Sequence, residues 1–108
     1  MAGAAILVLT QMPDRASAQS LARSLVESRL AACVSIGTPA ESLYHWRGQI
    51  ETAQEVPVTI KTRADRYAEV EAAIRARHPY ELPEIIAVPI VDGLVPYLDW
   101  IAAETAAA

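Results

Sequence analysis

The chain has a single cysteine, Cys33, among its 108 residues. One thiol excludes a disulfide framework within the chain and any zinc site that needs two or four cysteines from one subunit. Basic residues are few and scattered, and the net charge is −4. A nucleic-acid binder carries a basic face, so no nucleic-acid partner is expected. The 4 glycines stand singly and cannot cradle a phosphate. Neither a serine elbow nor an HExxH pair occurs. Long apolar runs are also missing: no stretch approaches the roughly 20 residues of a membrane span, so no membrane partner is expected. The apolar run 4–9 is too short for a signal peptide and has no Lys or Arg before it. The expected location is therefore cytoplasmic.

What is present reads as one domain, residues 1–108, of ordinary globular composition. Residues 4–10 predict a strand with consecutive apolar side chains from Ile6 to Leu9. Pro13 and Asp14 open a helix to about Leu30, with Ala18, Leu21, Ala22 and Leu25 on one face. A second strand runs over 32–46 with an irregular Gly37-Thr38-Pro39 interruption, and a third returns over 50–62 after a tight turn at 47–49. Residues 64–77 predict a second helix, 84–91 a fourth strand and 95–103 a short helix. The tail 104–108 should fray. The β-α-β-β-α-β order predicts an α+β, ferredoxin-like sandwich with a long hairpin and a short C-terminal helix.

Two features demand partners. The first and fourth strands are apolar on both faces, yet the two helices of this topology cover only one face of the sheet. The third strand, at about 3.3 Å per residue, reaches roughly 43 Å, about twice the length of the second helix at 1.5 Å per residue. Half of the hairpin must project, with Tyr44, Trp46 and Ile50 near its tip. An unpaired projecting edge invites another chain. An oligomer follows, with Tyr44 and Trp46 at the subunit contact.

Soft or borderline metal ligands are limited to Cys33, Met12, His45 and His78. Cys33 reads either as a small buried hydrophobe, the commoner role of a free thiol, or as a ligand which, with His78, would suit copper(II). His45 reads as a strand packing residue. The most distinctive segment is His78-Pro79-Tyr80-Glu81-Leu82-Pro83-Glu84, stiffened by prolines that hold His78 and Leu82 extended. Its expected place is a cleft between subunits, with Tyr80, Glu81 and Glu84 around a ligand and Lys61 paired to one glutamate. Alternatively it is a rigid connection whose histidine sits at a helix C-terminus. Glu51 and Glu55 read as a solvated hairpin face. A catalytic Cys33–His78 pair would require the fold to bring the two together.

Together these residues resemble the CutA divalent-ion tolerance family. The matching landmarks are Ala31-Ala32-Cys33-Val34, Ser42-x-Tyr44-x-Trp46-x-Gly48 with Glu51 and Glu55, Lys61-Thr62, the 78–84 segment and Tyr97-Leu98-x-Trp100. They cover residues 4–102, nearly the whole chain. The resemblance implies a tight homotrimer assembled through long hairpins, and a non-enzymatic role in tolerance of copper and other divalent ions. It sets Cys33 and His78 on the family's commonly retained cysteine and histidine. Where many members have a cysteine after the first strand, this chain has Gln11-Met12-Pro13-Asp14, leaving a thioether at best. The resemblance requires no cofactor. A regulatory module that binds a small ligand in the intersubunit cleft is the alternative.

Overall fold

The computed structural model describes residues 4–106. Strand β1 (Ala5–Met12) alternates strictly, with Ile6, Val8, Thr10 and Met12 buried and their neighbours half-buried. It continues to Met12, past the expected end at Thr10, because Gln11 and Met12 still pair with Pro57 and Val56. Met12 is consequently a core residue with no exposed surface, which removes it from the candidate ligands. Helix α1 (Arg15–Glu27) starts where the Asp14 carboxylate accepts the Ser17 N–H at 2.7 Å, a side-chain cap. It ends before the expected Leu30, because Ser28 closes the last turn and Arg29 adopts φ 60°.

The expected second strand is two strands, β2 (Cys33–Ile36) and β3 (Ala40–Trp46). Both pair with the long β4 (Gln49–Arg63). A 3-10 turn at Ala64–Arg66 leads into α2 (Tyr67–Arg77), followed by β5 (Ile85–Pro89) and α3 (Val95–Glu104). The sheet order is β2-β4-β1-β5, antiparallel throughout, with β3 on the outer half of β4. This is the ferredoxin-like arrangement. Pro89 closes β5, which pairs only with β1 and so is an edge, the position a proline tolerates.

One sheet face packs against the helices. Val8, Met12, Val58 and Ile60 meet Ala18, Leu21 and Leu25 of α1 and Val70 and Ile74 of α2, all essentially without exposure. Each large aliphatic side chain fully buried in this way contributes about 1.5–3 kcal/mol. The other face carries two rows fixed by the register: Cys33, Lys61, Leu7 and Val88, then Ser35, Thr59, Leu9 and Ile86. Helix α3 reaches this face at Lys61, which donates to the Tyr97 hydroxyl, but Ile86 and Val88 remain 50% and 39% exposed. The inner half of β4 pairs with β1, and its outer half, 49–55, has only β3 beside it. The hairpin therefore projects, and the molecule is 46 Å long against 26 and 23 Å across. Thr105, expected in a fraying tail, is buried, and its hydroxyl donates to the Ile101 carbonyl at 2.7 Å. Residues 107 and 108 of that tail lie outside the described residues.

Candidate functional site

The 78–84 link folds against the projecting hairpin, and His78 fixes its start. The ring Nε2 lies 2.6 Å from the Gln11 carbonyl, and Nδ1 accepts the Tyr80 N–H at 3.2 Å. A carbonyl only accepts, so Nε2 carries the proton and Nδ1 is the lone-pair nitrogen. Both nitrogens are committed to backbone, and the ring, 9% exposed, stacks at a tilt on Tyr80. His78 thus ties the end of α2 to β1. It holds no lone pair free for a metal, which corrects its reading as a ligand.

Farther along the link, Glu81 receives a hydrogen bond from Arg47 Nη2 at 2.9 Å. Arg47 stands in the hairpin turn at φ 50° with its guanidinium 5.3 Å above the Trp46 ring. Both partners are exposed, so this ion pair is worth at most about 1 kcal/mol. It corrects the expected pairing of a link glutamate with Lys61. Between hairpin and link lies a cavity of about 790 Å³, lined on one side by Tyr44, Trp46 and Glu55 and on the other by Tyr80, Glu81 and Glu84. β3 alternation puts Ser42, Tyr44 and Trp46 on this face. Glu55, opposite Ala40, closes its inner end. Glu55 is 8% exposed, not part of a solvated face. Its charge, after burial, helps to hold the Tyr80 phenol above its ordinary value. Gln11 also lines the cavity, but its Oε1 is sealed away from it, without a hydrogen-bond partner.

Cys33 lies elsewhere. It stands opposite Lys61 on β4, whereas the Gln11 carbonyl that His78 grips belongs to a residue opposite Pro57. Four residues of strand separate the two levels, about 13 Å. One chain therefore forms neither a Cys33–His78 metal pair nor a nucleophile–base pair. Lys61, at 3.2 Å from the Tyr97 hydroxyl and 5.4 Å from its ring centre, lies farther along the same sheet face, outside the cavity. That hydrogen bond raises the Lys61 ammonium above its ordinary value. A cation fixed beside Cys33 opposes a second cation there. Among the described residues no three His, Cys, Asp or Glu side chains converge on a point. The donor set of one chain thus does not fit a resident metal. His45, expected to pack, is exposed. Sequence reasoning missed Gln11, Arg47 and the burial of Glu55. The sequence singled out Glu55 only as one of the family landmarks; its burial follows from the register that sets it opposite Ala40.

Fold and site together define a ferredoxin-like α+β chain whose projecting hairpin and proline-stiffened link flank a half-open, acidic and aromatic cavity. Residues 6–104 match the family model of the CutA1 divalent ion tolerance protein. The divalent-cation tolerance protein CutA of Thermus thermophilus is 39% identical over 99 residues, covering 92% of this chain and 96% of its own. The crystal structure of CutA from Xylella fastidiosa superimposes with a TM-score of 0.92 at 43% identity, covering 96% of this chain and all of that one. A CutA from Archaeoglobus fulgidus, described as periplasmic, gives 0.91 at 38% identity, covering 94% and 99%. The chain belongs to the CutA1 divalent ion tolerance family.

Proposed function

We propose that the chain serves divalent-cation tolerance without catalysis, as a homotrimer whose metal contacts are weak and completed between subunits. The observation that carries this is the uncovered sheet face, where Ile86 and Val88 stand exposed beside Leu7 and Leu9. Tyr97 and Trp100, each about 40% exposed, extend this apolar region. A second copy is the natural cover for such a surface. The number three rests on the family resemblance. Tyr44 and Trp46 reach the contact from the projecting hairpin. Copper(II) rests on the family resemblance: beside Cys33 a neighbouring copy would have to supply further donors and offset the Lys61 charge, which keeps the contact weak. A lone thiol suits a compartment that keeps thiols reduced, and the proposed location is the cytoplasm.

A second reading is favoured by one observation, the cavity between hairpin and link, whose volume is that of a small-molecule site. In that reading the trimer is a regulatory module for a small ligand. The test for the leading reading is light scattering with copper titration. Wild type should scatter as an oligomer, and Ile86→Lys with Val88→Lys should lower its mass with helix content kept. Cys33→Ser should lose copper affinity. A stable folded species of 11.7 kDa, or an unchanged titration for Cys33→Ser, overturns it.

A further inference from the structure

We infer that the outer face of α1 and α2 docks an acidic, extended segment of another protein. This goes beyond the tolerance reading and uses neither the cavity nor a metal. The cations are scattered in the sequence, but the fold collects them. Residues 14–29 and 63–77, the helices and the ends that lead into them, hold seven arginines against five carboxylates, a charge of +2. The rest of the chain holds two cations and eight carboxylates, a charge of −6, and the two parts give the net −4. The helices cover the sheet face opposite the open one. An oligomer closed over the open face therefore leaves these arginines in solvent.

Three of the seven have partners: Arg29 pairs with Glu104, Arg63 with Asp65 and Arg66 with Glu69. Arg15, Arg23, Arg75 and Arg77 are exposed, and no ion pair among the described residues includes them. Carboxylates close to them in sequence are engaged elsewhere. Asp14 caps Ser17, and Glu71, one turn before Arg75, accepts from the Tyr67 hydroxyl at 2.8 Å. Arg77 Nη1 donates to Ser20 Oγ at 2.9 Å, so the end of α2 meets the middle of α1 and the four belong to one surface. Like charges gathered without compensation repel one another, and a partner of opposite sign relieves this. Every cation on this face is an arginine. The planar guanidinium binds a carboxylate through two parallel hydrogen bonds, which lysine cannot do. Between the arginines stand the exposed small residues Ala16, Ser20, Ala72 and Ala76, which let a backbone approach. The 13 residues of α1 span about 20 Å, the length of roughly six extended residues. A long polyanion would run on to the rest of the molecule, whose −6 repels it. A bilayer would find no large apolar anchor among these alanines and serines. A short acidic protein segment fits both the charge and the length.

The test is fluorescence anisotropy on the full chain in its native oligomer, with a labelled peptide of alternating glutamate and glycine as the probe. The same peptide with glutamine for glutamate, a short labelled oligonucleotide and phosphatidylglycerol vesicles are compared with it. The acidic peptide should bind saturably, and its affinity should fall about tenfold between about 20 and about 200 mM salt. The glutamine peptide should not bind. Arg15→Gln, Arg23→Gln, Arg75→Gln and Arg77→Gln should each weaken binding about two- to fivefold, and the four together should abolish it with helix content kept. All four side chains are exposed, so these variants should fold. Wild-type affinity in the fourfold variant would put the peptide elsewhere and overturn the inference, as would the lack of saturable binding at low salt. Tighter binding of the oligonucleotide or the vesicles than of the acidic peptide makes the face a nucleic-acid or membrane site and overturns it as well.

Discussion

Replacing His78 by alanine removes two hydrogen bonds to backbone, at 2.6 Å to the Gln11 carbonyl and 3.2 Å from the Tyr80 N–H. Each such bond contributes about 1 kcal/mol net, and a buried backbone group left without a partner costs roughly 1–3 kcal/mol. The imidazole also fills space between the end of α2 and β1, and its loss leaves a gap against Tyr80. Water reaches part of the link, so the lower end of this range applies to Tyr80. The expected destabilisation is about 2–4 kcal/mol, or roughly 10–20 °C in Tm for a domain of this size. Urea unfolding at one fixed protein concentration measures it, since assembly contributes to apparent stability. Amide exchange at Tyr80 supplies a local readout: that N–H should lose protection while β1 and β4 keep theirs. The variant should also titrate with copper like wild type, because His78 has no nitrogen to spare. Less than about 0.5 kcal/mol of destabilisation, the range of an ordinary surface substitution, or loss of copper binding with unchanged stability, would refute the structural role.

Asp14→Ala should lower Tm, and Asp14→Asn should recover most of the loss, because the amide oxygen still accepts the Ser17 N–H. Hydrogen bonds from Ser17 hold the Asp14 carboxyl below its ordinary value, so its stabilisation is present above the unfolded-state value and is lost as pH falls through the lowered one. Acid unfolding of wild type against Asp14→Asn checks this, and parallel pH profiles would refute it. Gly37→Ala should destabilise by about 1–3 kcal/mol, the range for overpacking, because the added methyl would stand 2.8 Å from Pro57 Cγ. An unchanged urea midpoint would show that β2 shifts freely at this point.

Elements with a strong local signal were legible in the sequence. The apolar run of β1, the apolar stripe of α1, the hairpin turn at 47–49 and the proline stops each arise from side chains within a few residues of one another. The excess length of the hairpin was equally legible, since it is an arithmetic of rise per residue. Element ends were less so. β1 runs to Met12 because β4 still offers partners there, and Thr105 is held by its hydroxyl and burial. No local pattern encodes either contact.

The candidate site divides along the same line. The sequence by itself determined which groups the link would offer, an imidazole, a phenol and carboxylates on a stiff backbone, and that the sheet would keep an apolar face without helices. Only the tertiary structure decided which of those groups meet. It turned His78 inward to Gln11, set Arg47 against Glu81, kept Lys61 with Tyr97 and buried Glu55 beside Tyr80. The reason is physical. Periodicity settles the face on which a side chain emerges, because that depends on its own strand or helix. The partner it finds there depends on register and packing between segments dozens of residues apart, 34 in the case of Arg47 and Glu81.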